Sequence, residues 1–395
     1  MKPHGAQKRS KIVAVVGAVL LFGAILLYSR PMKLGIIGLP SSGKTTIFNA
    51  LTQGNAPTGQ SMGGRFDVLT AVVDVRDPRV DVLSRMFKPE KTTYARITYS
   101  DVAGLQRREE DAPGSGLSPQ LLNHLSGLEG FVHVVRAFES ASVPHPDGRV
   151  DPARDLAALD TEFLLSDLGV VERRIEKIQE GLKKGASKDK AAATAELALF
   201  EQMNETLSAE RPLRVLDLSE EQLKGLRGYG LLTLKPKVVL INIGDDQAEP
   251  ALAYDYPGTV MAAIRGRLEM DLAQLSAAGD ADSLAMFMEE YGVTELSLDR
   301  VIHLSYDLMG LQSFFTVGED EVRAWEVKRG ATAVDAAGVI HTDLAKGFIR
   351  AEVVAYDDLV TLGGLAQART AGKLRQEGKT YLVQDGDVVN IKFNL

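Results

Sequence analysis

The run KLGIIGLPSSGKTTIFNALT places Gly38-x-x-x-x-Gly43-Lys44-Thr45 between a short apolar strand, Leu34–Ile37, and a helix-forming stretch from Ile47 to Leu51. Glycines at both ends of a tight loop let backbone N–H groups turn inward on an anion. Lys44 then reaches the β- and γ-phosphates as a point charge, and the Thr45 hydroxyl ligates Mg²⁺. A strand–loop–helix of this kind commits the chain to an α/β architecture, a mostly parallel sheet with helices on both faces.

Two further segments follow strands in the same manner. The strand Ala95–Tyr99 runs into Asp101-x-x-Gly104, some 57 residues after Lys44. Asp101 would hold the metal through water, and the Gly104 N–H would report the γ-phosphate. Lys44, Asp101 and Gly104 are thus the candidate catalytic groups, with Thr45 and Asp101 the candidate Mg²⁺ ligands. Leu105 stands where Ras-like enzymes keep a glutamine that orients the attacking water. Leucine cannot orient water, so hydrolysis is slow or another group positions it. The strand Val238–Ile241 leads into Asn242-Ile243-Gly244-Asp245, a variant of the Asn-Lys-x-Asp motif that reads guanine. Asp245 favours guanine on hydrogen-bond logic, while the missing lysine leaves adenine open.

Residues 32–150 and 235–306 read as a nucleotide-binding domain, and 151–234 as a helical insert. Leu156, Leu159, Phe163, Leu164, Leu168, Val171, Ile175, Ile178 and Leu182 recur at helical spacing; after KKGASKDK the pattern resumes through Leu197, Phe200, Met203 and Leu207. Two such helices pair as an antiparallel hairpin. Residues 310–395 alternate and are punctuated by glycine, ending in an Asp-Gly turn, which predicts a small β-rich domain. Its aromatics Phe314, Phe315, Trp325 and Phe348 are expected to fill a core rather than stack on RNA, and His303 and His341 to be structural.

The 395 residues contain no cysteine, which excludes disulfides, thiolate metal sites and thiol redox chemistry. A net charge of -8 gives no general attraction to DNA, and RNA contact would need a local patch such as Lys183, Lys184, Lys188 and Lys190. Residues 1–31 form an extension whose run Ile12–Tyr28 is just long enough to span a membrane. Two arguments oppose an anchor. The positive-inside rule would carry the nucleotide domain away from cytoplasmic ATP and GTP, and Leu34–Ile37 begins within ~20 Å of extended chain. A cytoplasmic protein is expected, with attachment to the inner membrane as the alternative.

From Met32 to Leu395 the chain resembles the YchF / Obg-like ATPase family, translation-associated P-loop proteins of the Obg branch. The most specific stretches are HVVRAFES, HPDGRVDPARDL, and the end of the chain from SFFTVGEDEVRAWEVKRGATA to YLVQDGDVVNIKFN. The resemblance implies a coiled-coil insert and a C-terminal TGS domain of β-grasp type. It also implies ATP preferred over GTP, Mg²⁺ as cofactor, slow turnover and ribosome association, in a chain expected to be monomeric. It places Pro40 and the run Ser41, Ser42, Gly43, Lys44, Thr45 and Thr46 around the triphosphate, and Ile243 against the base. Four departures mark a divergent member. Ser41 and Ser42 replace the family's Asn-Val, which weakens a potassium site, and Asp245 replaces Glu. Arg65 falls where the first switch keeps a threonine, and QRREEDAPGSGLSP replaces a Lys- and Gly-rich second-switch loop. Rival readings are a GTP-dependent switch with little turnover and a membrane-tethered signalling NTPase.

Overall fold

The computed structural model describes residues 32–56, 68–102, 116–185, 189–293 and 296–394. Ile12–Tyr28, Arg65, Gly104, Leu105, Lys188 and most of the second-switch loop lie outside them. No helix among the described residues is long and apolar enough to cross a membrane. Pro31–Val75 and Arg96–Gly310 form one compact unit, and Arg76–Ala95 with Leu311–Leu395 the other.

The strands in chain order are β1 (Lys33–Ile37), β2 (Val68–Val75), β3 (Lys91–Thr93), β4 (Ala95–Val102), β5 (Gly130–Arg136), β6 (Lys237–Asn242), β7 (Thr259–Ile264), β8 (Leu311–Thr316), β9 (Glu321–Lys328), β10 (Phe348–Ala355), β11 (Arg375–Glu377) and β12 (Asp387–Phe393). The first unit is built on a sheet of order β2-β4-β1-β5-β6-β7. Its ladders from β4 through β7 are parallel. β5 and β6 are buried throughout, as a parallel sheet covered on both faces requires. Strand order reverses at β1, where ligands gather in such folds. The register does the gathering: Ile36 sits opposite Asp101, Arg136 opposite Asn242, and Asn242 opposite Ile264.

The insert is the expected hairpin of Pro152–Lys183 and Lys190–Ser208. Each helix starts at an aspartate whose side chain accepts from a first-turn amide, Asp151 from Arg154 and Asp189 from Ala192. The apolar stripe of the long helix has two partners rather than one. Val171 and Ile178 pack on Phe200, Met203 and Leu207 of the second helix. Leu159 and Phe163 pack on the sheet, with Phe163 and Phe131 ring centroids 5.2 Å apart. Periodicity identifies the buried face of a helix but not what covers it.

The second unit carries a sheet of order β11-β10-β12-β8-β9-β3. Here the structure changes the assignment of 76–95, which local pattern placed within the nucleotide domain. β3 pairs in parallel with β9, Lys91 opposite Glu321, and Thr93 Oγ1 donates to Glu321 at 2.6 Å. Arg79, in the helix Pro78–Phe87, donates to Asp385 at 2.7 Å. The Asp-Gly turn, Asp385-Gly386, leads into β12. β11 and β12 flank β10 and do not pair with each other, while Asp385 accepts from the Ser313 N–H at 2.9 Å. Phe314, Phe315 and Phe348 are buried as expected. Trp325 is half-buried beneath the Arg323 guanidinium, its indole donating to Thr316. His341 caps a short helix through Asp343 N, a structural role.

Candidate functional site

The loop after β1 is shaped by steric necessity. Gly38 and Gly43 have φ of 152° and 95°. A Cβ on Gly38 would lie 2.3 Å from Val134 O, and one on Gly43 2.3 Å from Asn242 Nδ2. Ser41 adopts φ 62° although it is not glycine, a conformation that costs of order 1 kcal/mol. Lys44 folds back over the loop and donates to Gly38 O and Leu39 O, both at 3.0 Å. Burial lowers its pKa to about 8, opposed by the charge of Asp101. Pro40 and Ser41 are exposed and Thr46 half-buried in the first helical turn. Ser42 is 3% exposed, and its hydroxyl is buried without a hydrogen bond.

Thr45 Oγ1 donates to Asp101 Oδ2 at 2.8 Å. Burial raises the Asp101 pKa, opposed by that hydrogen bond and by Lys44. Its Oδ1 is buried and has no hydrogen-bond partner. A hydroxyl and an under-satisfied carboxylate are hard oxygen donors of the kind Mg²⁺ accepts, and that ion takes most of its remaining ligands from phosphate and water. The pair fits Mg²⁺. No cluster of three or more His, Cys, Asp or Glu residues suited to a metal occurs among the described residues.

Asn242, fully buried, ties the two ends of the site together. Its Nδ2 donates to Ser42 O and its Oδ1 accepts from the Gly266 N–H, both at 3.0 Å. A Cβ on Gly266 would sit 2.7 Å from Asn242 Oδ1 and 2.8 Å from Ile47, so only glycine permits the approach. Beyond Asn242 the loop is held by Gln247, which accepts from Gly244 N and donates to Ala137 O. Ile243, expected against a base, is 9% exposed and packs with Val135, Ala137, Leu156, Val239 and Ile241. Its side chain serves chiefly as core. Asp245 opens onto a cavity of about 630 Å³ shared with Gln247, Arg265 and Tyr291.

Residues 33–195 match the family model described as a 50S ribosome-binding GTPase, and residues 311–394 match the C-terminal domain model of YchF GTPases, described as a protein of unknown function. The "Ribosome-binding ATPase YchF" of Escherichia coli O157:H7 is 40% identical over 370 residues, covering 92% of this chain and 99% of that protein. That of Bacillus subtilis is 38% identical over 371 residues, covering 91% and 99%. The chain belongs to the YchF family. "Obg-like ATPase 1" of Caenorhabditis elegans is 34% identical, covering 92% of each chain. The solved structure of the Schizosaccharomyces pombe YchF GTPase superposes with a TM-score of 0.76 at 30% identity, covering 93% of this chain and all of that one.

Within this YchF-family site, Lys44, Thr45, Asp101 and Asn242 converge as sequence reasoning expects. Gly104 belongs to the same expectation but lies outside the described residues. Gln247, Gly266 and Arg136 had no assigned role. Arg136 stood within the family-specific HVVRAFES, and that was the available signal; nothing in local pattern marks the other two.

Proposed function

We propose that this P-loop nucleoside-triphosphate hydrolase binds ATP in preference to GTP, turns it over slowly with Mg²⁺, and works in association with the ribosome. The observation that carries the reading is the convergence of Lys44, Thr45 and Asp101 on one loop that Asn242 staples to the base-reading segment. Lys44 and the inward amides would stabilise charge developing on the γ-phosphoryl group. Thr45 and Asp101 would hold Mg²⁺, which would further neutralise the triphosphate. Gly104 is proposed to sense the γ-phosphate. The slow turnover rests on Leu105, which cannot orient water. Preference for adenine is supported by the loss of the motif's lysine to Ile243; the shorter Asp245 sets the limit on that preference.

Ribosome association is supported by the names of the Escherichia coli and Bacillus subtilis relatives, both ribosome-binding ATPases. We propose a TGS domain for the C-terminal unit, and for the chain as a whole a cytoplasmic monomer. Calorimetric titration with non-hydrolysable ATP and GTP analogues in Mg²⁺ tests the base, and multiple-turnover kinetics test the rate. Tighter GTP binding, or turnover above ~1 s⁻¹, would replace the reading, because P-loop enzymes without their water-orienting group run far below that.

A further inference from the structure

Arg136 ends β5 and is 1% exposed, yet no carboxylate among the described residues hydrogen-bonds to it. Glu139 and Asp155 influence it only through space, and Asp155 is itself engaged by His145 and Arg154. Burying a guanidinium without an ion pair is costly, so its hydrogen bonds have to be good ones. It donates to three backbone carbonyls: Val143 O at 2.6 Å, Phe138 O at 3.1 Å and Ser41 O at 3.4 Å. Its plane also lies over the Phe138 ring, 4.5 Å from the centroid.

Two of those carbonyls belong to the loop that follows β5 and fix the guanidinium in place. The third belongs to the phosphate loop. A loop that turns its amides inward must turn carbonyls outward, and Ser41 does so in a left-handed conformation that a non-glycine residue adopts only under constraint.

We propose that Arg136 is a positioning residue for the nucleotide: anchored on Phe138 and Val143, it holds the Ser41 carbonyl and so keeps the phosphate loop in its binding shape. This rests on the nucleotide-binding reading above. The planar fork is what the role needs, since lysine offers a single point of attachment and cannot span three carbonyls.

The test is a double-mutant cycle on the full chain, with affinity for a non-hydrolysable ATP analogue and Mg²⁺ measured by titration and melting followed in parallel. Arg136→Gln and Arg136→Lys are each expected to weaken affinity about tenfold, the scale of one charge-assisted hydrogen bond. Ser41→Gly removes the need for constraint, so in that background the Arg136→Lys penalty should shrink to roughly threefold or less. A purely structural or purely electrostatic Arg136 would give the same penalty in both backgrounds, and that result overturns the inference. So does an Arg136→Lys protein that binds within twofold of wild type. If Arg136→Gln does not fold, the Arg136→Lys and Ser41→Gly pair still decides it. Wild-type protein that binds no nucleotide would instead overturn the underlying reading.

Discussion

The two ends of β6 solve opposite problems with similar residues. At Asn242 the strand enters the phosphate cradle, where buried polar atoms are left without partners: Ser42 Oγ and Asp101 Oδ1. At Lys237 it meets the root of the hairpin, where comparable groups are saturated. Asp167 accepts from Leu232 N at 2.8 Å, Thr233 N at 2.7 Å and Thr233 Oγ1 at 2.6 Å. Lys235 donates to Leu125 O, Ser126 O and Leu128 O at 2.6 to 2.7 Å, closing the C-terminus of the helix Pro119–Ser126. Asp160 takes Lys237 on one oxygen and the Tyr254 hydroxyl on the other. Buried polar groups are normally paired, so an under-satisfied cluster marks a place for a ligand and a saturated one marks a joint.

That contrast predicts where damage will be functional and where it will be structural. The largest effect belongs to the cradle. Lys44→Met should lower turnover by about 10³-fold or more while the melting temperature stays within a few degrees, because the lost charge acts on phosphate rather than on the fold. A comparable fall in stability would remove the distinction. The root should behave in the reverse manner. Asp167→Ala leaves three buried donors unpaired and should cost about 3 kcal/mol in urea denaturation, with affinity for the ATP analogue changed less than threefold in the fraction that remains folded.

How far these regions could be read in advance follows from how local their causes are. The cradle was legible because strand, loop and helix are contiguous, and Asp101 and Asn242 were legible because each lies at the C-terminal end of a strand. The root was not. Asp167 meets Thr233 66 residues away, and Thr93 meets Glu321 at a separation of 228. Alternation and helical period carry no information about such partners. The same limit explains 76–95: a helix followed by a strand looks like the next step of an α/β domain until the sheet it joins is known. Ile243 adds what the motif alone does not carry: an apolar side chain after a buried strand packs largely into the core.

A smaller effect separates the two ends by pH. Burial pushes the Asp167 carboxyl up to about 6, against its three hydrogen bonds and the nearby Lys235 ammonium. A raised carboxyl binds its proton more tightly in the folded chain. Its contribution to stability is therefore complete below the ordinary carboxylate range and is lost as pH rises through 6. Wild type compared with Asp167→Asn should accordingly lose about 1 kcal/mol of relative stability between pH 5 and pH 7. A difference that is flat across that range would mean the site does not titrate there.

The smallest effect on stability is expected at the tip of the hairpin, the part of the insert farthest along the chain from its root. Lys183, Lys184 and Lys190 are exposed, and the ion pair of Lys184 with Glu180 is a surface pair of little worth. Changing all three to glutamate should alter unfolding free energy by less than about 0.5 kcal/mol and leave nucleotide affinity as it was. What should change is the salt dependence of cosedimentation with ribosomes. Each lysine that contacts a phosphate releases a counterion, so removing such contacts makes the plot of log affinity against log salt shallower, by up to roughly one per residue. An unchanged slope would assign the tip to solvent.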